Sequence, residues 1–183
     1  SGAGADIDGD GRTDLVIGSR DGFVHALSGL NGYEIWRYRT GGPVACTPAV
    51  AELDGDGVPD VVVTSHDGKT HAISGRTGEA LWTHASGAKM QVNPAVGDLD
   101  RDGVPDVVVA STDRRVYALG GRDGRELWSA ATGGAVYSDP ALADLDGDGT
   151  LDAVVGSNDA SLYALNGKNG AVLWTRATGG PVP

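Results

Sequence analysis

A repeat of 46 residues runs without interruption along this chain of 183 residues, and it limits the possible folds more than any other feature of the sequence. Four tryptophans mark its step, at Trp36, Trp82, Trp128 and Trp174. Short acidic clusters keep the same step, beginning with Asp8 and Asp10 in the first unit. Because neither an insertion nor a deletion breaks the register, we expect all four units to share one local structure.

The pattern within one unit is that of short strands. The second unit holds four apolar segments, at 48–53, 60–65, 70–74 and 79–84. Turns rich in Gly and Asp separate these segments, and none of them is long enough for an amphipathic helix. Four strands in a unit of this length are typical of a propeller blade, and blades stacked around an axis cover one another's faces and edges.

We therefore predict an all-β protein, a β-propeller built of four four-stranded blades of 46 residues. The whole chain, 1–183, would form one domain with blades at about 1–44, 45–90, 91–136 and 137–183. Four blades could close as a four-bladed ring, form half of an eight-bladed ring, or be part of a longer array.

Two glycine series and the tryptophans add detail to this prediction. One series contains Gly29, Gly75, Gly121 and Gly167, and the other contains Gly32, Gly78, Gly124 and Gly170. Glycine that recurs at a hairpin position usually marks a positive φ, so we expect one at both series. The tryptophan of each unit follows in the next strand, where its large ring is expected to fill the gap between neighbouring blades.

The strongest chemical motif is an aspartate loop of the form D-x-D-G-D-G-x-x-D. Positions 1, 3, 5 and 9 offer carboxylates and position 7 offers a backbone carbonyl, a spacing that lets oxygens converge on Ca²⁺. The candidate ligands are Asp6, Asp8, Asp10, Arg12 and Asp14; Glu52, Asp54, Asp56, Val58 and Asp60; Asp98, Asp100, Asp102, Val104 and Asp106; and Asp144, Asp146, Asp148, Thr150 and Asp152.

Electrostatics favours a bound cation in these loops over solvated turns. Two carboxylates about 4 Å apart repel by roughly 4 kcal/mol at an effective dielectric near 20, and each loop contains several such pairs. Hard oxygen ligands favour Ca²⁺ over Zn²⁺, so we predict up to four Ca²⁺ per chain. Glu52 is longer than the aspartate that it replaces, and its loop is expected to bind more weakly or through water.

These loops differ from an EF-hand. Position 12 holds Ile17, Val63, Val109 and Val155 where an EF-hand has glutamate, and strands rather than helices flank the loop. The carboxylate at position 9 would close the site instead.

The residues resemble two propeller families. The run 95–109, with Asp98, Asp100, Asp102 and Asp106, resembles the FG-GAP/VCBS-type repeat of integrin-like propellers, and the resemblance extends over all four units. It implies that the aspartate loop joins the inner two strands of a blade and that its calcium is structural. The run 162–174, which ends in Trp174, resembles the quinoprotein (PQQ-like) propeller repeat. Both families usually close with seven or eight blades, so self-association could complete an eight-bladed ring here.

Charge and hydropathy limit the partners. The net charge of −11 argues against nucleic acid and against an anionic membrane surface, since both need basic patches. No apolar stretch approaches the length of a membrane span, so we expect no membrane insertion. The segment from Ser1 lacks the features of a signal peptide, but calcium loops of this kind favour an extracellular or periplasmic location.

Three classes of function remain open. The first is a calcium-binding scaffold for protein or carbohydrate interaction or adhesion, with no enzymatic activity. The second is a designed or recently amplified propeller without an evolved ligand. The third is a fragment of a quinoprotein-like or polysaccharide-lyase enzyme, which is disfavoured because no catalytic arrangement stands apart from the repeats.

His25 and His71 share a strand position with Tyr117 and Tyr163, which favours a packed ring over a metal ligand.

Overall fold

The computed structural model describes residues 1–182, in which each repeat forms one antiparallel four-stranded sheet. The first sheet contains β1 (Gly2–Ala5), β2 (Asp14–Gly18), β3 (Phe23–Leu27) and β4 (Glu34–Arg39). The second contains β5 (Ala49–Ala51), β6 (Asp60–Thr64), β7 (Lys69–Ile73) and β8 (Ala80–Ala85). The third contains β9 (Ala95–Gly97), β10 (Asp106–Ser111), β11 (Arg115–Leu119) and β12 (Glu126–Ala131). The fourth contains β13 (Ala141–Ala143), β14 (Asp152–Ser157), β15 (Ser161–Leu165) and β16 (Val172–Ala177).

The strands of every sheet follow one another in chain order, which is the up-and-down arrangement of a propeller blade. The first strands of neighbouring sheets lie together, β1 against β5, β5 against β9 and β9 against β13, so the sheets diverge from a common inner edge. The predicted all-β propeller with four blades is confirmed. The range predicted for the fourth blade ends at residue 183, which lies outside the described residues.

The apolar core is divided among the seams between blades. The second strands are β-branched and apolar over several consecutive residues, and β6 is buried along its whole length because both of its faces are covered. Val61 and Val63 pack with residues of the first blade, whereas Val62 packs with residues of the third. Within residues 1–182 the buried apolar residues form three clusters, one for each pair of consecutive blades.

The tryptophans connect one blade to the next, as expected. The indole Nε1 of Trp36 donates to the carbonyl oxygen of Gly75 at 2.6 Å, and both groups are buried. Trp82 and Trp128 make the equivalent bonds to Gly121 at 2.7 Å and Gly167 at 2.6 Å. The indole rings lie directly over the second glycine series, on Gly78, Gly124 and Gly170, where a Cβ would come within 2.5–2.7 Å of the ring.

The two glycine series exist for different reasons. Gly32, Gly78, Gly124 and Gly170 have φ between 67° and 73°, as predicted. The expectation of positive φ was wrong for the series of Gly29, Gly75, Gly121 and Gly167. A Cβ on Gly75 would lie 2.0 Å from the carbonyl oxygen of Pro59, so this series is required by a close backbone approach.

The four blades form an open arc. Trp174 is 43% exposed, and a Cβ built on Gly32 would meet no atom within 4 Å. The last tryptophan therefore does not reach the first blade of its own chain. This excludes the four-bladed ring as the arrangement of this molecule and leaves an arc with two free ends.

Candidate metal centres

Each aspartate loop connects the first strand of a blade to the second, for example β5 to β6 in the second blade. This is the position that the family resemblance implied, between the inner two strands. The glycines within the loops, such as Gly55 and Gly57 at φ of 85° and 83°, lie in the left-handed region and produce the tight turn. The loop is thereby folded back on itself, which brings its carboxylates close together.

The aspartate at position 9 anchors each loop from the first residue of the second strand. In the second blade, Asp60 is fully buried, and its Oδ2 accepts the backbone N–H of Leu53 at 2.8 Å. Its Oδ1 accepts the N–H of Gly75 at 3.0 Å. Asp14, Asp106 and Asp152 make the equivalent pair of bonds in their own blades. This residue therefore joins the loop to the turn between the third and fourth strands.

Burial makes the anchor costly to ionise when no cation is near. Desolvation, with smaller contributions from the carboxylates of Asp54 and Glu52, raises the pKa of Asp60 to about 6 against the lowering effect of its backbone hydrogen bonds. Burial raises the pKa of Asp106 in the same way, with Asp100 contributing. A divalent cation at the same place would have the opposite effect and stabilise the ionised carboxylates.

Three carboxylates converge in every loop. In the second, third and fourth loops they occupy positions 1, 3 and 9, and in the first loop they occupy positions 1, 3 and 5. Each trio has oxygens within 4.8 Å of one another, in the sets Asp6, Asp8 and Asp10; Glu52, Asp54 and Asp60; Asp98, Asp100 and Asp106; and Asp144, Asp146 and Asp152. Glu52 thus takes its place in a trio despite its extra methylene.

The position-5 carboxylate is held outside the trio in three loops. Its Oδ1 accepts the N–H of the position-7 residue, as Asp56 does from Val58 at 2.8 Å. Its Oδ2 pairs with a basic side chain from the turn after the third strand, where Arg76 approaches Asp56 at 2.6 Å. Arg122 and Lys168 pair with Asp102 and Asp148 in the same way, at 3.3 Å and 2.7 Å.

The first blade has no basic side chain at that position. Leu30 stands where the other blades carry Arg76, Arg122 and Lys168. The first loop is also the one in which the position-5 carboxylate, Asp10, belongs to the trio. The position-7 carbonyls of Arg12, Val58, Val104 and Thr150 remain predicted ligands.

One buried oxygen in the third loop lacks a partner. Oδ1 of Asp98 is buried and accepts no hydrogen bond within the described part of the chain, whereas its Oδ2 accepts the N–H of Gly103 at 3.2 Å. A buried carboxylate oxygen without a donor is unfavourable unless a cation or water satisfies it. The residues present therefore fit a hard divalent cation bound by oxygen atoms.

A basic group beside the third loop was not predicted from the sequence. Arg101, which has φ of 63°, extends across the seam, and its Nη2 donates to the carbonyl oxygen of Asp148 at 2.7 Å. Arg125 pairs with Asp100 at 3.0 Å. Together with Lys168 they line a cavity of about 360 Å³ between the third and fourth blades. The only sequence signal was the replacement of a loop glycine by Arg101.

The fold and these loops define a β-propeller with one acidic cluster per blade. The model of the FG-GAP-like repeat matches residues 6–63, 52–109 and 98–155. The chain therefore belongs to the FG-GAP-like repeat family. A search of curated protein sequences finds no significant match. Among residues 1–182 there is no helix with the length and apolar character needed to cross a membrane.

Several solved structures share the fold. BamB from Moraxella catarrhalis matches with a TM-score of 0.68 and 22% identity, over 97% of this chain and 51% of that one. The computationally designed Ika8 protein matches with a TM-score of 0.72 and 20% identity, over 92% and 47%. Quinohemoprotein alcohol dehydrogenase ADHIIG from Pseudomonas putida HK5 matches with a TM-score of 0.71 and 18% identity, over 92% and 33%. This chain spans about half the length of the first two and a third of the length of the third, and all three matches show a shared propeller fold.

Proposed function

We propose that this protein is a calcium-binding propeller scaffold, in which up to four Ca²⁺ stabilise the blades without taking part in catalysis. The observation that carries the proposal is the carboxylate trio, which recurs in all four blades with oxygens within 4.8 Å. A single acidic cluster on a protein surface is common. A cluster that recurs in all four blades is far less so, because each copy adds electrostatic repulsion.

Calcium would act on the loop and on the blade together. The position-9 aspartate belongs to the trio in three loops and also accepts the N–H of the turn between the third and fourth strands, as Asp60 does from Gly75. A cation bound to Asp60 would neutralise a buried charge and keep this bond in place. Ligand binding to the folded state alone raises the free energy of unfolding, so calcium should raise the melting temperature.

We propose a binding role toward a protein or carbohydrate partner, in an extracellular or periplasmic setting. Extracellular calcium modules bind Ca²⁺ with dissociation constants of about 10⁻⁴ to 10⁻³ M, a range that cytosolic calcium does not reach. The connections between strands are short and similar in all blades, which supports a presenting surface rather than an elaborate catalytic pocket. The cavity beside Arg101 and Arg125 is the place where the surface departs from the repeat.

The test is a count of calcium ions, by native mass spectrometry and calorimetry, on the wild-type chain and on Asp98→Asn. We expect up to four ions for the wild type, one fewer for Asp98→Asn, and a lower melting temperature for the wild type in a calcium chelator. Asp123→Asn is the matched control, because it removes the same charge from an exposed turn of the same blade outside the trio. Equal stoichiometry in all three proteins, or a melting temperature unaffected by the chelator, would contradict the calcium assignment.

A further inference from the structure

We propose that the two free ends of the four-blade arc bind a second copy of this chain, and that the two copies close an eight-bladed ring. The proposal depends on the seams between blades and not on the calcium loops. The repeat forms three buried seams, so the exposure of each residue at a free end can be compared with that of its equivalents at those seams.

The end formed by the fourth blade exposes the apolar face that the other blades bury. Trp174 is 43% exposed, whereas its three equivalents are between 6% and 8% exposed. Leu145 is 42% exposed, whereas Ile7, Leu53 and Leu99 are each 1% exposed. The indole Nε1 of Trp174 also makes no hydrogen bond within residues 1–182, unlike the other three. This end therefore carries the donor half of a seam.

The end formed by the first blade exposes the opposite half. Leu15 is 43% exposed, whereas Val61, Val107 and Ala153 are fully buried at the equivalent position. Gly32 keeps the positive φ of its series but has open space where Gly78, Gly124 and Gly170 have an indole ring. This end is a receptor for a tryptophan that residues 1–182 do not supply.

The polar rim of the seams is incomplete at the end formed by the first blade. Across the first seam, Gly41 donates its N–H to Asp67 at 2.8 Å, and across the third seam Gly133 donates to the hydroxyl of Tyr163 at 3.1 Å. Asp67, Asp113 and Asp159 are partly buried at the three existing seams, whereas Asp21 at the equivalent position is exposed. The acceptor side of the polar rim is therefore free at this end, beside the exposed apolar residues.

A second copy fits better than self-closure or an unrelated partner. Self-closure would place Trp174 on Gly32 of the same chain, which the open space at Gly32 excludes. The arc superposes along 92–97% of its length on two larger chains and spans 47–51% of them, so its curvature is that of about half of such a propeller. Two head-to-tail contacts related by a twofold axis would bury both ends and leave no free blade.

The geometry of the three existing seams defines the new one. The indole Nε1 of Trp174 would donate to the carbonyl oxygen of the partner's Gly29, and the ring would cover the partner's Gly32. Each copy would supply one tryptophan and one receptor. Aromatic groups that are fully buried at the centre of a contact contribute most to protein association, so both substitutions below should act strongly.

The first test is Gly32→Asn, followed by sedimentation velocity and native mass in saturating calcium. Asparagine tolerates a positive φ, and nothing in the single chain lies within 4 Å of the new Cβ, so the blade should fold normally. The side chain would occupy the receptor and weaken association at least about tenfold. Gly87→Asn is the control, because Gly87 has φ of 82°, is equally free of neighbours and lies away from both ends.

The second test is Trp174→Ala, with Leu30→Arg as its control. Leu30 is an exposed apolar residue of the first blade, but its equivalents Arg76, Arg122 and Lys168 are exposed even at buried seams. We expect the wild type, Gly87→Asn and Leu30→Arg to have about twice the 18.6 kDa of one chain. Gly32→Asn and Trp174→Ala should have the mass of a single chain.

Three results would overturn the proposal. A wild-type chain that stays monomeric over a wide range of protein concentrations would show that the ends do not bind each other. A trimer or an open-ended series of masses would show that the contact does not close with two copies. A dimer that persists in Gly32→Asn and Trp174→Ala would place the interface elsewhere. Loss of calcium binding with the dimer retained would affect the calcium assignment alone.

Discussion

Trp128 and Trp174 occupy equivalent positions in their blades, yet the first is 6% exposed and the second is 43% exposed. Both follow a leucine in the fourth strand, and both strands pair with the third strand in the same register. The difference is that a further blade covers Trp128 and none covers Trp174. Burial here is a property of the seam rather than of the blade, so the stability of this fold resides largely between repeats.

The largest effect should come from breaking a buried seam at its tryptophan. We expect Trp128→Ala to lower the free energy of unfolding by about 3–5 kcal/mol, because it opens a cavity and leaves the carbonyl of Gly167 without its donor. Trp174→Ala should lower it by less than about 1 kcal/mol, since the side chain is already partly in water. Urea denaturation in the Gly32→Asn background, which should remain monomeric, measures both values.

Similar losses for the two tryptophan variants would contradict the comparison. They would mean that the fourth blade contributes to the core through Trp174 itself, or that its end is covered in solution by some other part of the chain. Trp128→Phe provides a check on cavity formation, because it retains most of the apolar ring while it removes the indole donor.

A smaller contrast is expected at the second residue of the aspartate loop. Leu99 is 1% exposed and Leu145 is 42% exposed, although they are equivalent in the repeat. Leu99→Ala should cost about 2–4 kcal/mol, and Leu145→Ala less than about 1 kcal/mol, in the same monomeric background. Denaturation in excess calcium separates this packing effect from any change in calcium binding by the loops. Equal losses of unfolding free energy in the two variants would show that the fourth-blade end is not free.

The smallest effect concerns pH and a histidine at the first seam. His71 is buried between Asp67 of its own blade and Tyr38 of the preceding blade, with Nε2 3.1 Å from Asp67 Oδ2 and Nδ1 3.1 Å from the Tyr38 hydroxyl. A neutral ring satisfies both, donating to Asp67 and accepting from Tyr38. Burial lowers the pKa of His71, against the raising effect of Asp67.

The unfolded chain therefore takes up a proton at higher pH than the folded chain does. The contribution of His71 is fully present above the unfolded pKa near 6.5 and is lost as pH falls through the lower folded pKa. We expect His71 to contribute a modest decrease in stability between about pH 7.5 and pH 5.5, read as the difference between the wild type and His71→Tyr because the raised pKa of Asp60 acts in the opposite direction. His71→Tyr should remove it, since Tyr117 and Tyr163 occupy this position and donate to their own aspartates. An unchanged pH profile in that variant would assign the effect to another group.

The local structure was largely predictable from the sequence. The apolar segments 60–65 and 79–84 correspond to β6 at Asp60–Thr64 and β8 at Ala80–Ala85. The acidic loops lie where the spacing placed them, and three tryptophans link neighbouring blades as expected. These features depend on residues close together in the sequence, or on a contact that the repeat reproduces at every seam, and a pattern repeated four times reveals them clearly.

The grouping of carboxylates needed the three-dimensional structure. Spacing alone assigned positions 1, 3, 5 and 9 equally to every cation site. In the fold, Arg76 pairs with Asp56 from a turn 20 residues away and Asp56 lies outside the trio, whereas Asp10 of the first blade pairs with Arg12 of its own loop and lies within the trio. Similarly, the glycine at position 75 is required by the carbonyl of Pro59, which only the packing of two turns brings near.

The sequence by itself determined the blade, its strands, its turns and its acidic loop, because each depends on short-range backbone preferences and on alternation of apolar residues. Only the tertiary structure decided that the four blades form an open arc. The angle between blades follows from how the side chains of two sheets pack across a seam, and a closed ring of four blades needs twice the rotation at each seam that a ring of eight needs. That angle leaves Trp174 and Gly32 apart in one chain, as two free halves of the contact that joins every other pair of blades.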